Sequence, residues 1–178
     1  GPHQGGEVGA HFLGTTADRV IRGAEVPCLV VDEPLADPVR RIGVPLDFSE
    51  PSQGALEVAF AWGVRSRGEN GNERGDSPDV RVMHVGWPVE KVDNPDMEEA
   101  IIRPQLERQI DQALSVVPEA RALESSIEVV WDNDTTDATV RWAGSREIDL
   151  LVMGTRGSTG LTRVMLGSTA SRVTRKVP

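Results

Sequence analysis

Short apolar runs alternate with longer amphipathic stretches along this chain, and the alternation predicts parallel strands joined by crossover helices. Each apolar run has five or six residues, is rich in Val, Ile and Leu, and ends at turn residues. Because helical crossovers cover a parallel sheet, we expect an α/β fold with helices on both faces of an open sheet. The four strands predicted in this way are residues 41–46, 80–85, 127–131 and 148–153.

Capping residues mark where the helices between these strands begin. The first helix, residues 51–65, has apolar residues at helical spacing, and the second has Pro95 at its first position, where proline is favoured. Pro104 lies inside the second helix and should kink or restart it. The helices are predicted to start at Ser49, at Asn94, at Asp134 and at the pair Gly167-Ser168.

A ten-residue segment occurs twice in the chain. Residues 13–22 and 166–175 are identical at seven positions when the chain is shifted by 153. The first copy continues into a further apolar run, Cys28 to Val31, whereas the second stops before any equivalent strand. Such a repeat indicates related modules in tandem and favours a chain cut from a longer tandem protein. We expect residues 1–31 to be the last helix and strand of a preceding repeat, 32–38 a linker, and 39–178 a domain lacking its final strand.

The run Cys28 to Val31 would be an aggregation-prone edge if it stayed unpaired. We therefore expect it to complete the sheet as a fifth strand or to pair with a neighbouring chain, as a homodimer or a tandem pair. Cys28 is the single cysteine, so no intrachain disulfide is possible. A buried structural thiol is expected there, because free cysteine is among the most buried residue types.

Composition excludes several classes of partner. The net charge of −9 argues against nucleic acid or anionic lipid. No apolar stretch approaches the roughly 18 residues of a membrane span, and no secretory signal pattern is present, so we expect a cytoplasmic setting.

His84 is expected to be an ordinary strand residue at a pocket edge. Asp134 is better explained as a helix cap than as a metal ligand beside Asp132 and Asp137, so no protein-held metal is expected.

The glycines after the fourth predicted strand carry the clearest chemical signal. Gly154, Gly157, Gly167 and Ser168 follow the spacing G-x2-G-x9-G-S. Glycine lets several backbone N–H groups approach a phosphate, and a helix that begins at Ser168 would direct its free N–H groups at the same anion. Ligands of open α/β sheets bind at the carboxyl ends of the strands, where this loop lies. The alternative is that the glycines only shape a strand-to-helix loop.

This spacing resembles the ATP-binding loop of the universal stress protein family, in which G-x2-G-x9-G is followed by Ser or Thr after the fourth strand. Residues 42–52 are similar to the family's first strand and loop, and residues 172–175 to its last helix. The resemblance covers about residues 40 to 178. It implies a Rossmann-like, open, parallel five-stranded sheet of the adenine nucleotide alpha hydrolase type.

Carried over by position, the resemblance implies an adenosine pocket joined to a phosphate loop. The resemblance places Asp47 in this pocket, but Asp47 could equally serve only to end the first strand and orient its turn. The exit from the third strand, residues 131–134, departs from the family's pattern, and Gln4 replaces the second glycine in the N-terminal copy, which should not bind nucleotide. The resemblance implies that the adenosine end contacts Val44, Pro45, Asp47 and Val85, and that ribose and phosphates are surrounded by Met153, Gly154, Arg156, Gly157, Gly167, Ser168 and Thr169.

The function implied is that of an ATP-binding stress-response module with little or no hydrolysis, in which Mg²⁺ arrives on the nucleotide. The sequence has no Walker A lysine and no nucleophile elbow to supply obvious catalysis. Enzymatic activity therefore stays open. Two alternatives remain, a slow ATPase or phosphotransferase of related fold and a nucleotide-free dimerisation scaffold.

Overall fold

Strands and helices alternate through the part of the chain that the computed structural model describes, which is residues 19–21, 23–24, 26–31, 38–67, 77–86, 94–155 and 167–176. The strands are β1 (Arg41–Pro45), β2 (Asp79–Gly86), β3 (Glu124–Trp131) and β4 (Leu150–Leu151). The helices between and after them are α1 (Glu50–Ser66), α2 (Pro95–Val116), α3 (Thr135–Ser145) and α4 (Ser168–Val173), with a 3₁₀ turn at Pro118–Ala122.

The strands form one parallel sheet in the order β3-β2-β1-β4. Val44 of β1 is in register with Val82 of β2, and Gly43 is in register with Leu151 of β4. The chain therefore adds strands on one side of β1 and then returns to its other side for β4. This arrangement confirms the predicted α/β class with a parallel sheet.

The prediction of five strands is wrong for the described residues, which form a four-stranded sheet. Residues 28–31 have no strand assignment, and the side chains of Leu29, Val30 and Val31 are exposed. Cys28 is exposed as well, so the expectation of a buried thiol is wrong. The segment is apolar, but a strand exists only where a neighbouring backbone pairs with it.

Both faces of the sheet carry core side chains, as predicted. Successive residues of a strand point to opposite faces. Val82 accordingly packs in the cluster that contains Leu56 of α1 and Leu106 of α2, whereas Met83 packs with Trp142 of α3. Helices α1 and α2 thus cover one face, and α3 covers the other.

Helix boundaries follow the predicted caps closely. Ser49 accepts a hydrogen bond from the Ser52 N–H at 3.3 Å, and Asn94 accepts one from the Met97 N–H at 3.1 Å. Helix α2 continues without a break through Pro104, so the alternative of a restart is wrong. Ile102 and Leu106, which lie two residues before and after this proline, are buried, and this packing offsets the backbone hydrogen bond that proline cannot make. None of the helices in the described ranges is long and apolar enough to span a membrane.

Candidate functional site

The crevice between β1 and β4 is the place where the sheet favours a ligand. The chain leaves β1 towards β2, but β4 lies on the opposite side of β1, so the strand order reverses at this pair. Loops that leave two such strands diverge, and ligands of open α/β sheets bind in the gap between them. The backbone N–H of Val152 donates to the Gly43 carbonyl at 2.8 Å, which holds the exit of β4 beside β1. Met153 and Gly154 follow directly and are partly buried.

Gly154 lies against the first turn of α1. A Cβ atom at this position would be 2.9 Å from both the carbonyl carbon and the carbonyl oxygen of Pro51, and 3.0 Å from the Ser52 nitrogen. Backbone atoms cannot move aside as a flexible side chain can. The structure therefore gives Gly154 a packing role that sequence reasoning missed, in addition to its predicted place beside phosphate.

The two ends of the glycine loop meet. The backbone N–H of Gly167 donates to the Thr155 carbonyl at 2.7 Å, which closes the segment between them. Arg156 and Gly157, both predicted to surround the phosphates, lie in residues 156–166, outside the described ranges. The first and last glycines of the motif are thus brought to one place by a direct backbone contact next to Gly154.

Gly167 is the N-terminal cap of α4, with φ −54° and ψ 146°. This is ordinary extended backbone, so the positive φ that glycine would permit is not used here. No side chain caps the helix, whereas the first intrahelical bond runs from the Ser171 N–H to the Gly167 carbonyl at 2.9 Å. Ser168 is exposed and Thr169 partly buried. Their N–H groups lie in the first turn, which has no intrahelical acceptor for them.

The turn after β1 is held by Asp47. The carboxylate of Asp47 accepts hydrogen bonds from the Ser49 N–H at 3.1 Å and from the Ser49 hydroxyl. Phe48 between them has φ 62°, in the left-handed region that a bulky residue rarely adopts. The turn-orienting role of Asp47, one of its two predicted roles, is therefore present in the structure. Its role as a ligand stays a prediction.

The residues predicted to contact adenosine differ in accessibility. Val44 is 0% exposed and belongs to the core beneath α1 and α2, so it has no surface to offer a ligand in this conformation. Pro45 is half-buried at the end of β1. Val85 is partly buried and packs towards Met83 and Trp142 on the α3 face. Pro45 and Val85 thus keep some exposed surface, whereas Val44 is covered completely.

His84 has a structural role beside the same turn, as the sequence suggested. Its Nδ1 lies 2.7 Å from the Leu46 carbonyl oxygen, and its ring centroid lies 4.7 Å from that of Phe48. A carbonyl can only accept, so Nδ1 carries the proton. Burial lowers the pKa of His84, although the Leu46 carbonyl and the Asp47 carboxylate act in the opposite direction. The ring is therefore neutral at pH 7 and braces the exit of β1.

Trp131 is a feature of this edge that sequence reasoning did not interpret. Its indole lies over Gly86 on the neighbouring strand, where a Cβ atom would be 2.5 Å from the ring. The two residues are in register at the carboxyl ends of β2 and β3. Only the departure from the family pattern at residues 131–134 pointed to this position. The indole fills space beside Gly86 that a smaller residue at position 131 would leave open.

The acidic residues after β3 form ion pairs. Asp134 caps α3 by accepting from the Thr136 and Asp137 N–H groups at 2.7 and 3.1 Å, as predicted. Asp132 pairs with Arg141, and Asp137 pairs with Lys176. Within the described ranges, no group of three His, Cys, Asp or Glu side chains has a geometry that could hold a metal ion.

A cavity of about 310 Å³ lies elsewhere, between α2 and the beginning of β3. Its lining includes Arg103, Ile110 and Ser126. Because Ser126 is near the amino end of β3, this cavity lies at the opposite end of the strands from the glycine loop and cannot receive a ligand held by that loop. We assign it no role.

Comparison with known proteins decides the family. The model of the universal stress protein family matches residues 38–178. The chain belongs to this family. No curated protein matches the chain significantly.

Solved structures of universal stress proteins share the fold. UspA from Lactobacillus plantarum is 18% identical with a TM-score of 0.56, covering 79% of this chain and 93% of that one. A family member from Burkholderia pseudomallei is 19% identical with a TM-score of 0.52, covering 79% and 91%. A universal stress protein in complex with cAMP is 22% identical with a TM-score of 0.54, covering 78% and 90%. At these identities the likeness concerns the fold.

Proposed function

We propose that this universal stress protein binds ATP in the crevice between β1 and β4 and acts as a regulatory module with little or no hydrolysis. The observation that carries the proposal is the contact between the ends of the glycine loop, where the Gly167 N–H meets the Thr155 carbonyl at 2.7 Å. It joins Gly154 at the end of β4 to the start of α4. A phosphate at this point would meet backbone N–H groups from both sides.

Two further observations support a nucleotide as the ligand. A universal stress protein of the same fold has been solved in complex with cAMP. The strand order of this chain also reverses at the β1 and β4 pair, where dinucleotide and mononucleotide sites of open α/β sheets occur. Mg²⁺ would arrive on the nucleotide, because it is usually bound through substrate phosphates rather than by an all-protein cage.

The proposed roles follow the accessibility of each residue. Gly154, Gly157, Ser168 and Thr169 would hold the phosphates through backbone N–H groups and the Ser168 hydroxyl. Gly167, whose own N–H donates to the Thr155 carbonyl, would line the phosphates without a side chain in the way. Arg156 and Met153 would flank the ribose and phosphates, with Pro45, Asp47 and Val85 towards the adenosine. No general base is assigned, so turnover is expected to be slow or absent.

Gly167→Val tests the phosphate contact. Valine tolerates the extended φ and ψ of residue 167, so the fold should survive, but its branched side chain would crowd the Ser168 and Thr169 N–H groups. The loss of two charge-assisted hydrogen bonds should weaken ATP binding by roughly two to four orders of magnitude. Ser168→Ala removes one hydroxyl and should cost about tenfold.

Calorimetry with Mg²⁺ and ATP, ADP, AMP or cAMP measures these effects, with phosphate release assayed in parallel. Gly144→Val is the matched control, because a Cβ atom at Gly144 meets nothing within 4 Å. It should bind like the parent protein. Absence of ATP binding at millimolar concentration in the folded parent would reject the proposal. Measurable phosphate release by the parent protein would favour the alternative of a slow ATPase instead.

A further inference from the structure

Helix α4 depends on its neighbours for its position. It has six residues, and isolated helices of that length do not persist in water. Ala170 and Val173 are buried and attach one side of the helix to the domain. The position of its first residue, Ser168, therefore depends on the tertiary contacts of the whole helix.

Two charged contacts join α4 and the residues after it to the start of α3. The Lys176 Nζ lies 2.6 Å from Asp137 Oδ1, and the Arg172 guanidinium lies 3.6 Å from Asp134 Oδ2. The same guanidinium donates through Nε to the Ser168 carbonyl at 3.4 Å. Arg172 thus links the residue at the phosphate end of α4 to the cap of α3.

The acidic side of these contacts is held in place. Asp134 is oriented by the backbone hydrogen bonds with which it caps α3. The bond from the Asp137 N–H and that from Thr136 lower the pKa of Asp134 against the effect of burial, and the charges of Arg172 and Lys176 lower it further. The carboxylate is therefore ionised at neutral pH and faces a cation from α4.

We propose that Asp134 and Asp137, with Arg172 and Lys176, form an electrostatic clasp that positions the Gly167-Ser168 end of the glycine loop for nucleotide. This proposal rests on the proposed function. None of the four side chains needs to touch the nucleotide. They are positioning residues, and the affinity for ATP depends on their pairing.

Asp137→Asn gives the sharpest test, because two explanations predict opposite results. Removal of a negative charge near an anionic ligand should strengthen ATP binding if only long-range electrostatics matters. The clasp predicts that binding weakens instead, by about two- to fivefold at low salt, which is the range for a half-exposed ion pair. Calorimetry with Mg²⁺ and ATP at low ionic strength distinguishes the two signs.

Lys176→Gln and the double variant complete a mutant cycle. The clasp predicts that the double variant binds ATP no more weakly than whichever single variant has the lower affinity, because each change breaks the same ion pair. Asp132→Asn is the matched control. It removes the same charge from the same segment, but the ion-pair partner of Asp132 is Arg141 of α3 itself. The asparagine Oδ1 can still accept the hydrogen bond that Asp132 receives from the Asp134 N–H, so ATP affinity should stay within twofold of the parent.

Amide hydrogen exchange of residues 168–176 in the nucleotide-free protein gives a readout that needs no ligand. Exchange should become faster in Asp137→Asn and Lys176→Gln but not in Asp132→Asn. Unchanged exchange would overturn the clasp even if the parent fails to bind ATP, and that failure would separately reject the proposed function. Faster exchange with ATP affinity equal to or tighter than the parent's would overturn the positioning role.

Discussion

At the scale of single residues, two glycines of one motif have different surroundings. Gly154 lies so close to the Pro51 and Ser52 backbone that no side chain fits. Gly167 has extended backbone that any residue could adopt, so we expect glycine to matter there only through the nucleotide it is proposed to bind. Spacing alone does not separate a glycine needed for packing from one needed for binding.

Gly154→Ala should destabilise the protein without any ligand present. The added methyl group would be 2.9 Å from the Pro51 backbone, and overpacking of this kind costs about 1 to 3 kcal/mol. Gly54→Ala is the control, since its Cβ atom would meet nothing within 4 Å, and alanine in a helix interior should stabilise by about 0.5 to 1 kcal/mol. Urea denaturation of both variants measures the two opposite shifts. A gain of stability in Gly154→Ala would contradict the close contact.

At the scale of elements, one carboxylate ties the end of α3 to the sheet, in addition to the apolar packing of Trp142. Glu128 of β3 accepts hydrogen bonds from the Trp142 indole at 3.1 Å and from two nitrogens of Arg146 at 2.9 and 2.7 Å. The Trp142 ring also covers Gly43, where a Cβ atom would be 2.8 Å away. The helix that carries Asp134 and Asp137 at its start is therefore tied to the sheet at its end.

The pH dependence of stability should report this attachment. The Arg146 guanidinium holds the pKa of Glu128 below its ordinary value, against the effect of burial, and Trp142 and Arg81 add to the lowering. A lowered folded-state pKa contributes stability that is present above the unfolded pKa of about 4.3 and is lost as pH falls through the folded value. The parent protein should thus exceed Glu128→Gln in urea midpoint near neutral pH, and the difference should shrink as pH falls below about 4.3.

Glu124→Gln is the control for that experiment, because Glu124 is exposed on the same strand. Its urea midpoint should follow the parent's at every pH. A difference between the parent and Glu128→Gln that persists unchanged at low pH would mean that the substitution acts through packing and not through the charge.

At the scale of the whole molecule, residues 26–31 form an exposed and mainly apolar run. Val26 is 71% exposed, and Leu29, Val30 and Val31 are exposed beside Cys28. The predicted pairing of this run with a neighbouring chain is a question of assembly, and it stays a prediction.

Thiol labelling of the native protein addresses this question directly. Because Cys28 is exposed in the chain by itself, Ellman's reagent should label it at dilute concentration about as fast as in denaturant. If the run pairs with a second copy, labelling should slow as protein concentration rises, and sedimentation should show dimers under the same conditions. Slow labelling that does not depend on concentration would contradict the exposed position.

The sequence by itself determined the order of elements and most of their boundaries. The caps at Ser49, Asn94 and Asp134 act on N–H groups two or three residues away, so the information needed to place these helix starts is local. Apolar runs placed the strands of the sheet to within a few residues for the same reason. The glycine spacing and residues 42–52 were enough to indicate the family.

Only the tertiary structure decided which of these local features meet. Whether Cys28 to Val31 becomes a strand depends on a partner backbone, not on its own composition. The contact of Gly154 with α1, and the ion pair between Asp137 and Lys176, join residues far apart in the chain, and no periodicity encodes them. Packing and charge pairing act between surfaces, and those surfaces exist only after the chain has folded.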